Sequence, residues 1–142
     1  MVLQIPARQF EVISGAHHLK PIRYFASSRG LRLLIEHGAE VDPRNNGGST
    51  PLHLASLLGD VESSRVLIDH GANVNTRMIH YATPLHLSVL NGHFRLVKML
   101  IERGADANAL NAYGESPYQL SLGRGFREIA DLLREHGAGR ER

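Results

Sequence analysis

Apolar residues in this chain come in short bursts rather than in one long amphipathic run. Phe94, Leu96, Val97, Leu100 and Ile101 recur at mixed i+3 and i+4 spacing, which predicts a short helix that Gly104 stops with a positive φ. A smaller burst, Leu85 and Leu87, precedes it, and Leu52, Leu54 and Ala55 form the same pattern further back. Each small burst follows Thr-Pro. The Thr50 or Thr83 hydroxyl is suited to accept an orphan backbone N–H, and Pro51 or Pro84 falls at the first helical position, where a missing N–H costs nothing. Gly59, Gly92 and Gly125 come where a left-handed residue would close a helix of about two turns. Such helices are too short to be stable alone, so each must bury its apolar face on a neighbour.

The bursts repeat in one register. Thr50-Pro51-Leu52-His53-Leu54-Ala55 returns as Thr83-Pro84-Leu85-His86-Leu87-Ser88 and, more loosely, as Ser116-Pro117-Tyr118-Gln119-Leu120-Ser121, a step of 33 each time (83 − 50 and 116 − 83). A second block, Leu33-Leu34-Ile35-Glu36-His37-Gly38-Ala39, is matched at Val66–Ala72, Met99–Ala105 and Leu132–Ala138 with the same step. Four copies in one register establish a repeat architecture.

A period of 33 residues carrying Thr-Pro-Leu-His resembles the ankyrin repeat family, a turn plus two antiparallel helices. The resemblance covers about residues 15–138. It implies an all-α solenoid of stacked helix-turn-helix units with projecting turn-hairpin fingers, and a concave groove made by finger tips and first helices. The expected units are about 15–44, 45–77, 78–110 and 111–138, with an N-terminal extension or degenerate cap at 1–14 and a polar tail at 139–142.

Four departures from the repeat carry expectations. In the first unit, Pro21 falls where a helix would already be running, so its first helix is expected to start late, near Pro21, and to include Ile22, Tyr24 and Phe25. In the last unit, Arg127 and Arg134 replace the apolar Val61/Phe94 and Ile68/Ile101 positions, the polar outer face with which a solenoid stops. In the second unit, Ser63 and Ser64 stand where the third has Leu96 and Val97, which predicts weaker packing. Tyr81 replaces the glycine of Gly48 and Gly114, which casts doubt on a standard turn there.

Composition narrows the function classes. With 142 residues and 42% hydrophobic content, the chain can bury a sizeable core. Sixteen basic and 14 acidic residues give a net charge of +2 with no block of one sign, too weak a balance to argue for nucleic acid or an anionic membrane. No cysteine is present, so thiolate chemistry and cysteine-ligated zinc are excluded, and a cytoplasmic or nuclear setting fits. No signal-peptide pattern or membrane-length apolar run occurs.

The nine histidines invite a metal or catalytic reading. However, His53 and His86 share one repeat position, His37, His70 and His136 share another, and His93 lies at the family's Gly-His step. The resemblance implies that the His53 and His86 position ties turns together, while His37, His70 and His136 suit the negative end of a helix dipole. His17-His18 are adjacent and do not face each other on a helix; with His80 they read as surface or turn residues. No phosphate-binding loop, nucleophile elbow or His-Glu-x-x-His helix occurs. Gly123-Arg124-Gly125 reads as a helix end, and Asp69, Glu102 and Glu135 as members of solvated ion pairs. The expectation is no enzyme, no cofactor and no metal.

The remaining signal is the surface that varies between copies. By the resemblance, partner contacts fall at Arg44, Asn46, Ser49, Leu57, Leu58, Arg77, Ile79, His80, Leu90, Asn91, Leu110, Tyr113, Glu115 and Arg124. Large apolar groups at exposed positions mark an interface, and Tyr and Arg are typical anchors. Helices about 8 to 10 Å apart make four units about 40 Å long, enough for a standard interface of about 800 Å² per partner. The leading expectation is therefore a monomeric, non-catalytic module that holds a protein partner, with no nucleic acid, membrane or small-molecule substrate. The rival is a structural or regulatory segment of a larger multidomain protein, packed on an enzyme or channel in the same chain. Asn75 and Asn108 match the position that asparaginyl hydroxylases modify in the family, against the plainer reading of turn asparagines bonding their own backbone.

Overall fold

Hydroxyl side chains cap the starts of four of the described helices, and a carboxylate caps a fifth. The computed structural model describes residues 27–139. Among them seven α-helices follow in order: α1 (Ser28–Glu36), α2 (Pro51–Leu58), α3 (Val61–Asp69), α4 (Pro84–Leu90), α5 (Phe94–Glu102), α6 (Pro117–Arg124) and α7 (Arg127–Glu135). A single turn spans Ile79–Tyr81, and no strand occurs among the described residues. The late first helix expected near Pro21, the N-terminal extension and His17-His18 lie outside the described residues.

Thr50, Thr83 and Ser116 each accept the N–H of the residue three along, and that residue's side chain accepts the cap's own N–H in return. This is a reciprocal capping box in which histidine replaces the usual carboxylate or amide in α2 and α4. Gly59 and Gly125, with φ of 74° and 73°, close α2 and α6. The second helices end differently. His37, His70 and His136 place Nδ1 at 2.7, 2.8 and 2.9 Å from the carbonyl oxygens of Leu33, Val66 and Leu132. A carbonyl only accepts, so Nδ1–H donates and caps the helix C-terminus.

The helices form two layers. α2, α4 and α6 pack side by side in one layer and α1, α3, α5 and α7 in the other, with α2 on α3, α4 on α5 and α6 on α7. Leu52, Leu67, Leu85, Leu96, Val97, Leu100 and Leu133 are sealed between the layers. Ala55, Ser88 and Ser121, one step of 33 apart, are small enough for the paired helices to approach, and the two serines return their hydroxyls to the carbonyls of Leu85 and Tyr118.

The weak packing expected at Ser63 and Ser64 is not found. Both are fully buried. Asp60 caps α3 by accepting the Ser63 N–H at 3.0 Å and hydroxyl at 2.7 Å, and its carbonyl takes the Ser64 hydroxyl at 2.7 Å. A fully satisfied polar cluster thus stands where the next unit has apolar groups.

Asn75 and Asn108 also depart from expectation. Each bridges to the next unit instead of bonding only within its turn. The Asn75 amide donates to the Gly104 carbonyl at 3.2 Å and its oxygen accepts the Asp106 N–H at 2.8 Å; Asn108 makes the matching bonds to Gly137 and Gly139 at 3.4 and 3.3 Å. Asp42 occupies the same step and accepts the Asn73 N–H at 3.0 Å, but a carboxylate has no amide to offer. Its Oδ1 is buried without a partner. Asp42→Asn supplies the missing donor toward Gly71 (71 − 42 = 104 − 75), and is expected to stabilise the fold by about 1 kcal/mol. The urea midpoint should rise at unchanged slope; a fall in the midpoint would show that no acceptor lies beside Oδ1.

Candidate partner-binding surface

Three turn-hairpin fingers project from the stack at residues 45–49, 78–82 and 111–115, each closed by two backbone hydrogen bonds. In the first, Asn45 N–H donates to the Ser49 carbonyl and Gly48 N–H to the Asn45 carbonyl; Met78/Ala82 and Tyr81/Met78 repeat this, as do Asn111/Glu115 and Gly114/Asn111. The fingers are joined side by side. Ile79 N–H donates to the Gly47 carbonyl at 2.7 Å, and Ala112 N–H to the His80 carbonyl at 2.8 Å.

The middle finger is built differently. Asn45 and Asn111 each accept two backbone N–H groups on Oδ1 in their own fingers, whereas Met78 offers no such acceptor. Gly48 and Gly114 supply the left-handed residue with φ of 73° and 76°, but in the middle finger Tyr81 adopts φ 58° and His80 φ 62°. The doubt raised by Tyr81 is thus resolved: the closing bonds form, and two side chains sit in a region that costs each about 1–2 kcal/mol. Strain of this kind persists where neighbouring structure enforces it, and it concentrates at binding sites.

The strained finger presents a cluster. Ile79, Tyr81 and Tyr113 are 56%, 58% and 70% exposed, and Leu110 is 53% exposed. The His80 and Tyr113 rings lie 5.6 Å apart, tilted by 31°, and the Arg77 guanidinium sits 5.9 Å from the Tyr81 ring centroid. Ile79, His80, Arg77, Leu110 and Tyr113 are expected contact residues; Tyr81 is not among them, although a large side chain at a projecting turn position has no neighbour to bury it. Leu122 is also 55% exposed. Its counterparts one and two steps back, Val89 and Ser56, are buried, and residue type gives no sign of the difference.

Arg44 and Arg77 share a repeat position (77 − 44 = 33) yet do different things. Arg44 donates to the carbonyls of Gly48 and Arg77 at 2.9 and 2.8 Å and to the Thr76 hydroxyl at 2.7 Å, so it fastens the first finger to the second. For Arg77 the matching hydroxyl is gone, because Thr76 corresponds to Ala109. Its guanidinium makes no hydrogen bond among the described residues and rests on Tyr81 instead.

The other expected contact residues divide similarly. Asn46 and Arg124 are exposed, as are Leu57 and Leu58 at the end of α2; Ser49 and Leu90 are half-buried. Asn91 donates its amide to the Leu57 carbonyl at 3.2 Å, which the His93 ring Nε2–H also caps at 3.0 Å. Glu115 is half-buried, with a carboxylate oxygen held by the Asn111 amide at 3.3 Å. Of the acidic residues expected in ion pairs, Asp69 pairs with Arg103 at 2.6 Å. Glu102 and Glu135 form no pair among the described residues; Glu62–Arg65 and Asp131–Arg134 do. Arg127 and Arg134 are exposed.

Beneath the fingers, two histidines are structural. His53 Nδ1 accepts the Thr50 N–H at 3.1 Å, and its Nε2–H donates to the Ala82 carbonyl of the next finger at 3.0 Å; His86 repeats this with Thr83 and Glu115 at 3.2 and 2.9 Å. Burial pushes the His53 pKa down to about 4, and it lowers that of His86 as well. Among the described residues no group of three or more His, Cys, Asp or Glu side chains could hold a metal ion, and no helix is long and apolar enough to cross a membrane. A shallow hollow of about 250 Å³ lies between Phe94 and Phe126, where α5 and α7 begin.

Two family models match the chain: ankyrin repeats (3 copies) over residues 13–78 and ankyrin repeats (many copies) over residues 67–121. No curated protein matches it.

Proposed function

The chain belongs to the ankyrin repeat family, and on that premise we propose that it is a non-catalytic module holding a protein segment on its finger tips and first helices. Repeats of this family are general protein–protein interaction modules. The observation that carries the finer reading is the middle finger, where strained backbone holds Ile79, His80 and Tyr81 out beside Tyr113. Exposed aromatic and arginine side chains on a rigid support are the usual anchors of an interface. The cysteine-free sequence supports a cytoplasmic or nuclear setting.

Arg77→Ala, His80→Ala and Tyr113→Ala combined are expected to weaken capture of a partner from native lysate by about 100-fold while the helical signal stays unchanged. A second variant on the opposite layer, Arg95→Ala with Lys98→Ala, should retain capture. The assignment fails if the folded finger variant still captures the partner, or if only the second-helix variant loses it.

A further inference from the structure

Charge is unevenly divided between the two sides of the stack. The finger and first-helix stretches 43–58, 76–91 and 109–124 carry Arg44, Arg77 and Arg124 against Glu115 alone. The second-helix stretches 28–37, 61–70, 94–103 and 127–136 carry eight basic and seven acidic residues. All three ion pairs among the described residues lie on that second-helix side. On the finger side, the one carboxylate is turned to Asn111. The positive charge there is left for a partner to neutralise.

That charge has an address. Arg44 is fastened between fingers, and its guanidinium lies 2.8 Å from the Arg77 carbonyl, so a second cation sits close behind the middle finger. Arg77 itself is held over the Tyr81 ring with its N–H fork unspent. A guanidinium on an aromatic face is pre-organised for a carboxylate, because its planar donors match two carboxylate oxygens at little further entropic cost. Ile79 in the same finger and Tyr113 in the next, whose ring lies 5.6 Å from that of His80, add exposed apolar surface. Three arginines and no lysine in a net charge of this size do not make the long phosphate-tracking stripe that nucleic acid requires.

We propose that the middle finger anchors an acidic, extended protein segment, with a carboxylate on the Arg77 guanidinium and an adjacent apolar side chain on Ile79 and Tyr113. The inference rests on the partner-binding reading above and goes further by naming the partner's chemistry.

The test uses the full chain and two immobilised peptide pools of equal length, built from Leu, Pro, Gly and Ser, with Asp and Glu in one pool and Asn and Gln at the same positions in the other. The acidic pool should be retained about tenfold more strongly, and Arg77→Gln or a rise to about 0.5 M salt should remove that preference. Lys98→Gln should leave it intact. Equal retention of both pools, retention of neither, indifference to Arg77→Gln, or stronger retention of a single-stranded oligothymidine would each overturn the proposal. If both pools bind equally and Tyr113→Ala abolishes binding, the acidic chemistry is wrong and the binding surface stands. If both bind and no finger variant matters, the surface assignment fails with it.

Discussion

Acidification from about pH 7 to about pH 4 will destabilise the stack by about 3 kcal/mol through His53 alone. The ring is sealed from solvent, and burial holds its pKa near 4 against an ordinary value of 6.5. The unfolded chain therefore binds a proton between those two values and the folded chain does not. Stability is complete above about pH 6.5 and falls as pH drops toward about 4, because unfolding takes up a proton throughout that window. Geometry adds a reason beyond desolvation. Nδ1 accepts the Thr50 N–H while Nε2–H donates to Ala82, and a protonated ring would have to give up its acceptor. His86 is shifted in the same direction for the same first cause and reinforces the effect.

The chain suggests its own control. Gln119 stands at the matching position and closes the same capping box with Ser116 at 2.9 and 3.1 Å. His53→Gln should keep the cap, forgo the bond to Ala82 at a cost of about 1 kcal/mol near neutral pH, and lose stability less steeply on acidification. The measurement is urea unfolding at half-unit pH steps. If wild type and His53→Gln lose stability in parallel from about pH 6.5 to about 4, His53 is not the group responsible.

Gly59→Ala will destabilise the fold by about 3 kcal/mol, from two separable causes. Gly59 has φ +74°, and a Cβ placed there would stand 2.5, 2.7 and 2.8 Å from Nδ1, Cε1 and Cγ of His93. The ring cannot move aside freely, because its Nε2–H caps the Leu57 carbonyl. Gly71 isolates the conformational part: φ is +98° and nothing lies within 4 Å of the added carbon. Gly71→Ala should therefore cost only about 1 kcal/mol. Equal losses for the two variants would show that the ring yields. The double variant Gly59→Ala with His93→Ala should relieve the clash while losing the carbonyl cap.

Much of the fold was readable because its signals act over short distances. Thr50 and Pro51 start a helix through contacts within four residues, Gly59 ends it through its own φ, and the step of 33 repeats these instructions in order. The short helices cannot stand alone, so stacking followed. Ser63 and Ser64 predict weak packing only against Leu96 and Val97; the compensating Asp60 stands just ahead of them. The finger residues are legible as a set, but the sequence marks Tyr81 only as a fault in the turn.

The repeat, its register, the capped helices and the positions that vary on the finger side are legible in the residues, since all of these follow from local backbone chemistry and periodic burial. Tertiary structure alone decided which of two arginines at one repeat position is fastened and which is left over an aromatic ring. It also decided that Asn75 and Asn108 bridge units while Asp42 lacks a donor, and that His80 and Tyr81 share a left-handed turn. For the fastened arginine and the bridging asparagines the physical reason is distance along the chain: their partners lie 29 to 33 residues away, and those contacts exist only once the units have stacked.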